Sequence, residues 1–75
     1  MSWNYRVLAT EHNGELYLRI HEVFYNADNE PDGYSAEPMS AQGESIPSIR
    51  KDLRKMKEAL KKPVLWGDER FPAEI

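Results

Sequence analysis

An Asn-Gly dipeptide at residues 13–14 separates two stretches whose composition suits β-strands. Asn13-Gly14 is a strong hairpin signal, because a type I′ turn needs a positive φ at both central residues. Apolar and polar residues alternate over residues 3–10, and residues 16–25 are rich in β-branched and aromatic side chains. The sequence therefore predicts an antiparallel hairpin built from these two stretches.

The two-residue loop determines which residues face each other across the hairpin. With His12 opposite Glu15, three apolar pairs are predicted: Ala9 with Leu18, Val7 with Ile20, and Trp3 with Phe24. Directly opposed apolar pairs stabilise an antiparallel ladder, which supports this register.

One pair on the predicted core face joins an aromatic residue to an acid. Tyr5 would lie opposite Glu22 in the uninterrupted register. A β-bulge near Glu22 would remove this pair and turn Val23 and Tyr25 inward instead. The sequence leaves both alternatives open.

Turn-forming residues dominate the stretch after the hairpin. Residues 26–33 are predicted to form a loop, and residues 34–37 a third short strand. Pro38 ends this strand, because proline cannot donate a ladder hydrogen bond. Small residues at 40–44 then lead to the next element.

An amphipathic helix is predicted over residues 46–62. Ser45 suits the N-cap, Pro47 suits the first turn, and Pro63 ends the helix. Apolar residues recur at spacings of three and four along one side and are expected to face the sheet. This stripe consists of Ile46, Ile49, Leu53, Met56 and Leu60.

The order of these elements predicts an α+β fold in one domain spanning residues 1–75. A three-stranded antiparallel sheet (about 3–38) carries the helix on one face, followed by a tail, residues 63–75. The tail either adds a short strand or folds back over the sheet. Its apolar residues Val64, Leu65 and Trp66 are either core residues or an anchor for a partner.

The sheet face opposite the helix is partly apolar. If the tail leaves it uncovered, this face would be a surface for a protein partner or for a second copy of the chain. The candidate residues of this partner surface are Leu8, Tyr17, Tyr25 and Trp66.

Charge is unevenly distributed in this chain of net charge −3. Residues 1–45 carry −6, residues 46–62 carry +5, and the tail carries −2. The basic segment is either a solvated helix face or a phosphate-binding strip, which makes a weak nucleic-acid binder the alternative function. The candidate contacts are Arg50, Arg54, Lys57 and Lys61.

Three features resemble the HicB-like antitoxin domain over about residues 5–62. They are the Asn13-Gly14 hairpin, the segment Tyr34-Ser35-Ala36-Glu37, and the run Gln42-Gly43-Glu44-Ser45 entering the helix. The resemblance implies a shared fold and binding to protein partners. An acidic loop at residues 27–33 replaces the Pro-Gly segment of that family.

Residues for catalysis or metal binding do not form a recognisable pattern. The chain has no cysteine, and His12 and His21 are too far apart in the predicted register to share an ion. The run from Asp28 to Gly33 imitates the start of an EF-hand loop but lacks its final glutamate. We therefore expect no enzymatic activity, no cofactor, no metal and no membrane span, and a cytoplasmic location.

Overall fold

A four-stranded mixed sheet and one helix make up the computed structural model, which describes residues 2–75. The elements are β1 (Ser2–His12), β2 (Glu15–Tyr25), β3 (Pro31–Tyr34), α1 (Ile46–Ala59) and β4 (Leu65–Trp66). The strand order is β3-β2-β1-β4, with β1 antiparallel to β2 and parallel to β4. The predicted α+β class is confirmed, and the tail supplies a fourth strand.

The hairpin forms at the predicted turn and in the predicted register. Asn13 has a φ of 53° and Gly14 a φ of 81°, the positive values that a type I′ turn requires. All three predicted apolar pairs are present, together with the pair of His12 and Glu15.

The hairpin ladder runs without a bulge from Ser2 to Tyr25. Tyr5 therefore stays opposite Glu22, the first of the two alternatives. This register is compatible with burial of Tyr5, because the Tyr5 hydroxyl donates a hydrogen bond of 2.7 Å to Asp52 of the helix. A register shift does occur between Phe24 and Tyr25, but against β3.

The third strand lies earlier in the chain than predicted. β3 covers Pro31–Tyr34, whereas the sequence pattern placed it at residues 34–37. The loop is shorter than expected because the Asn26 side chain accepts hydrogen bonds from the backbone of Asp28 and Glu30. This tight turn lets pairing with β2 resume at Pro31.

The helix begins as predicted and ends three residues early. Ser45 is the N-cap and forms a capping box with Ser48. The helix stops at Ala59 instead of residue 62, and residues 60–62 form a tighter turn with i→i−3 hydrogen bonds. Pro63 explains this ending, since the residue before a proline disfavours the helical conformation.

The helix is rotated relative to the orientation that its apolar stripe predicts. Asp52, Met56 and Ala59 face the sheet, whereas Ile46, Leu53 and Leu60 are exposed. The bond from Tyr5 draws Asp52 inward, and the small side chain of Ala59 permits close contact with the strands. The predicted helix-on-sheet packing is present, but most of the stripe lies at its margin.

Each face of the sheet has its own apolar core. The core under the helix contains Tyr5, Val7, Met56 and Ala59, with Ile20, Met39, Ala41 and Val64 against it. The core on the opposite face contains Leu8, Val23 and Leu65, with Tyr25, Tyr34 and Phe71 against it. The tail therefore covers the second face, and Val64 and Leu65 are core residues.

Two polar side chains are buried on the tail-covered face. Arg6 donates to the Tyr25 hydroxyl (2.9 Å) and to the Pro63 carbonyl (2.8 Å), which ties β1 to the end of the helix. His21 is also buried, and its Nδ1 hydrogen-bonds the Ser35 carbonyl at 2.9 Å. Each of these two side chains thus bonds a backbone oxygen outside β1 and β2, Pro63 for Arg6 and Ser35 for His21.

The turn geometry predicts the effect of substituting its glycine. Gly14→Ala should lower the free energy of unfolding by about 1–2 kcal/mol, because a Cβ disfavours a positive φ. A Cβ at Gly14 would meet no other atom within 4 Å, so the effect is purely conformational. Urea denaturation measures it, with Gly33→Ala as control, where the nearest contact of a Cβ is an ordinary 3.9 Å. Equal effects at both glycines would contradict this explanation.

The bond between Tyr5 and Asp52 predicts a pH-dependent contribution to stability. Burial, together with the hydrogen bond to Asp52, raises the pKa of Tyr5 from 10.0 to about 12. The same hydrogen bond holds the pKa of Asp52 below its ordinary value. Tyr5→Phe should therefore lower the free energy of unfolding at neutral pH.

The sign of this effect follows from the raised pKa of Tyr5. The stabilisation is fully present below pH 10.0 and is lost as pH rises towards about 12. Urea denaturation at several pH values should show the deficit of Tyr5→Phe shrinking over that interval. Tyr17→Phe is the control, since Tyr17 is exposed. A Tyr5→Phe deficit that stays constant with pH would contradict the prediction.

Candidate interaction surface

The two long strands extend beyond the layers that cover them. An 11-residue strand spans about 36 Å, whereas a 14-residue helix rises only about 21 Å. Residues 11–19, at the turn end of the hairpin, are all exposed. The hairpin thus projects past both the helix and the tail.

Large aliphatic side chains lie on this projecting end and on the helix flank beside it. Leu16 is 51% exposed, Leu18 58% and Leu60 68%; we call these three leucines the hairpin patch. A groove of about 310 Å³ borders it, with Leu18, Ile20, Leu60 and Val64 among its walls. The cations Arg19 and Lys62 also line this groove. The surface is apolar at its centre and basic at its rim.

One side of β2 is paired along only part of its length. β3 pairs with its last residues, and the Ser35 and Met39 N–H groups donate to the carbonyls of Glu22 and Ile20. Within residues 2–75, no backbone hydrogen bond reaches Glu15–Arg19 from this side. We call Glu15–Arg19 the free edge.

The structure separates the four residues predicted to form a partner surface. Leu8 is only 2% exposed beneath the tail, so the prediction that it lies at the surface is wrong. Tyr25 is half-buried in the same core, with its hydroxyl between Arg6 and Asn4. Tyr17 is exposed on the projecting hairpin.

Trp66, the fourth predicted residue, is half-buried at the sheet margin. The Arg70 guanidinium lies 3.3 Å from the centre of its ring. Arg70 also pairs with Asp68 and Glu11, and its hydrogen bond to Asp68 holds the pKa of that carboxyl below its ordinary value. These contacts hold the tail against β1, and a partner contact at Trp66 stays a prediction.

The predicted nucleic-acid contacts are all exposed. Arg50, Arg54 and Lys57 fall within about 60° of one another around the helix axis, at 100° per residue. Lys61 follows the helix end and pairs with Glu58 at 3.3 Å. The first three therefore form one basic strip.

Residues 2–75 contain neither a cluster of potential metal ligands nor a helix that could span a membrane. No group of three or more His, Cys, Asp or Glu side chains is placed to hold a metal ion. The single helix of this range is too short and too polar to cross a bilayer.

Comparison with protein-family models, curated proteins and solved structures finds no match to this chain.

Sequence reasoning missed the hairpin patch because it paired Leu18 with Ala9 in the core and placed Leu60 in the helix stripe that faces the sheet. Leu16 and Leu18 share the face that the helix covers elsewhere, and Leu60 belongs to the helix stripe. The lengths of the elements carried the missing signal: a helix of this length leaves part of an 11-residue hairpin bare.

Proposed function

We propose that this chain is a small protein-interaction module without enzymatic activity that self-associates through its projecting hairpin. The observation that carries the proposal is the hairpin patch, three exposed leucines beside an apolar groove. Exposed apolar surface of this kind is typical of a binding site on an otherwise polar protein. The resemblance to HicB-like domains, which implies protein partners, points the same way.

The chemistry of the ionisable groups also favours a binding role. Perturbed pKa values mark catalytic sites when they cluster in a cleft. Here the lowered pKa values belong to Asp52, which accepts from a core tyrosine, and Asp68, which pairs with Arg70. The first pair links β1 to the helix, the second lies within the tail, and neither lines the groove.

Self-association through the hairpin patch predicts the effect of a charge placed in it. Leu18→Glu should weaken association at least about tenfold, because it removes the burial of a leucine in each copy and adds a charge. Sedimentation equilibrium from micromolar to millimolar concentration measures this. Leu18 is exposed within one copy, so the variant should stay folded.

Ile75→Glu is the matched control, because Ile75 is also 58% exposed but lies at the end of the tail. Its association should equal that of the unmodified chain. An unmodified chain that stays monomeric throughout would refute self-association. A dimer that Leu18→Glu leaves intact would place the interface elsewhere.

The basic strip supports nucleic-acid binding as the second candidate function. Its three cations point away from the sheet, and no salt bridge occupies them within the described residues 2–75. Cations spaced along one helix flank can contact successive phosphates. The proposed binding is weak and insensitive to base sequence.

Reversing the strip tests this second candidate. The triple change Arg50→Glu, Arg54→Glu, Lys57→Glu should abolish binding to short single-stranded DNA in an amide NMR titration. For the unmodified chain, log K should fall with log salt with a slope of about −2, as expected for three phosphate contacts. Lys51→Glu, outside the strip, is the control. Unchanged binding by the triple variant, or no binding by the unmodified chain, would refute the candidate.

A further inference from the structure

The free edge offers a row of unpaired backbone groups. The carbonyls of Ile20 and Glu22 point to the β3 side of β2, where they accept hydrogen bonds. Alternate residues of a strand direct their N–H and C=O groups to the same side, so those of Leu16 and Leu18 also point there. Unpaired edge groups of this kind are a template for another strand. β3, the outer strand on this side, carries Pro31 and Asp32, which discourage pairing.

The sequence of the free edge is complementary to itself. It reads Glu15-Leu16-Tyr17-Leu18-Arg19, with an acid at one end, a base at the other and two leucines around the centre. An antiparallel copy related by a two-fold axis at Tyr17 places Glu15 opposite Arg19 and Leu16 opposite Leu18. Charges on an edge strand ordinarily prevent pairing, but in this arrangement each charged residue lies opposite a residue of opposite charge.

We propose that two copies of this chain join their free edges antiparallel across a two-fold axis at Tyr17, which makes their sheets continuous. This inference rests on the proposed self-association and names its partner, a second copy, and its register. Each pair of Leu16 with Leu18 exchanges two backbone hydrogen bonds, because both residues direct their main-chain groups outward. The leucines of both copies then meet on the helix-covered face, beside Leu60.

Shifting the axis by one residue gives poorer pairing. An axis at Leu16 places Glu15 opposite Tyr17 and leaves Arg19 without an acid. An axis at Leu18 places Leu16 opposite Ile20, whose carbonyl already accepts from Met39. The axis at Tyr17 alone pairs all five residues of the free edge with one another.

Disulfide trapping identifies the axis residue. The chain has no cysteine, so the variants Leu16→Cys, Tyr17→Cys and Leu18→Cys each carry a single thiol. A thiol on the axis lies opposite its own copy, about 4.5 Å away between Cα atoms for the non-hydrogen-bonded pair at Tyr17, which a disulfide can span. Tyr17→Cys should form the covalent dimer at least about tenfold faster than the other two. Asp28→Cys, exposed in the loop before β3, is the control for random collision.

Charge exchange tests the pairing of Glu15 with Arg19. Glu15→Arg or Arg19→Glu alone opposes like charges at both ends of the edge, which should weaken the dimer about tenfold. An equimolar mixture of the two variants restores both opposite pairs. The mixture should therefore form a heterodimer as stable as the unmodified dimer, measured by sedimentation and by native mass spectrometry.

Failure of this inference is distinguishable from failure of the proposed function. Suppose that Leu18→Glu breaks the dimer but the disulfide forms fastest at Leu16 or Leu18, or equally at all positions. The Tyr17 axis is then overturned, and self-association still stands. The Tyr17 axis is also overturned if Glu15→Arg and Arg19→Glu leave the stability of that dimer unchanged. An unmodified chain that stays monomeric up to millimolar concentration overturns both. Fast trapping at Tyr17 together with rescue in the mixture supports the inference.

Discussion

The Asn13-Gly14 turn is the constraint on which the rest of the molecule depends. Successive side chains of a strand point to opposite faces of the sheet, so a shift of one residue in the pairing would move every side chain of β2 to the other face. The positive φ angles of this turn exclude that shift by setting His12 opposite Glu15. Leu8 and Val23 consequently meet on one face, and Val7 and Ile20 on the other, which provides a core for the tail and a core for the helix.

β1 carries both cores, and this explains how so short a chain buries a continuous strand. A domain of this size buries only about 60% of the surface that its unfolded chain exposes. The chain covers both faces of β1, with α1 on one and the tail on the other, and Arg6 connects the two coverings through the Pro63 carbonyl. That arginine is buried without a carboxylate partner in the described part of the chain, and it bonds instead to a hydroxyl and a backbone oxygen.

Local chemistry predicted the elements, whereas tertiary contacts decided their details. Turn residues and capping residues act within a few positions, so the hairpin register and the helix start could be predicted from sequence. The rotation of α1 could not, because it depends on a hydrogen bond between Tyr5 and Asp52, which are distant in sequence. β3 was misplaced because the Asn26 side chain adds two hydrogen bonds to the backbone bonds of the preceding turn, an effect that composition does not reveal. Leu8 was misassigned because its burial depends on where the tail folds.

The hairpin has an exposed end because the chain is too short to cover the whole length of both strands. A longer helix would cover Leu16 and Leu18, but Pro63 ends it, and the chain then crosses to form β4. What remains uncovered is a strand segment whose apolar residues and charges are arranged symmetrically about Tyr17. An exposed edge with leucines would ordinarily invite open-ended aggregation. The proposed two-fold pairing would avoid this, because each copy would contribute its free edge and the contact would close at two copies.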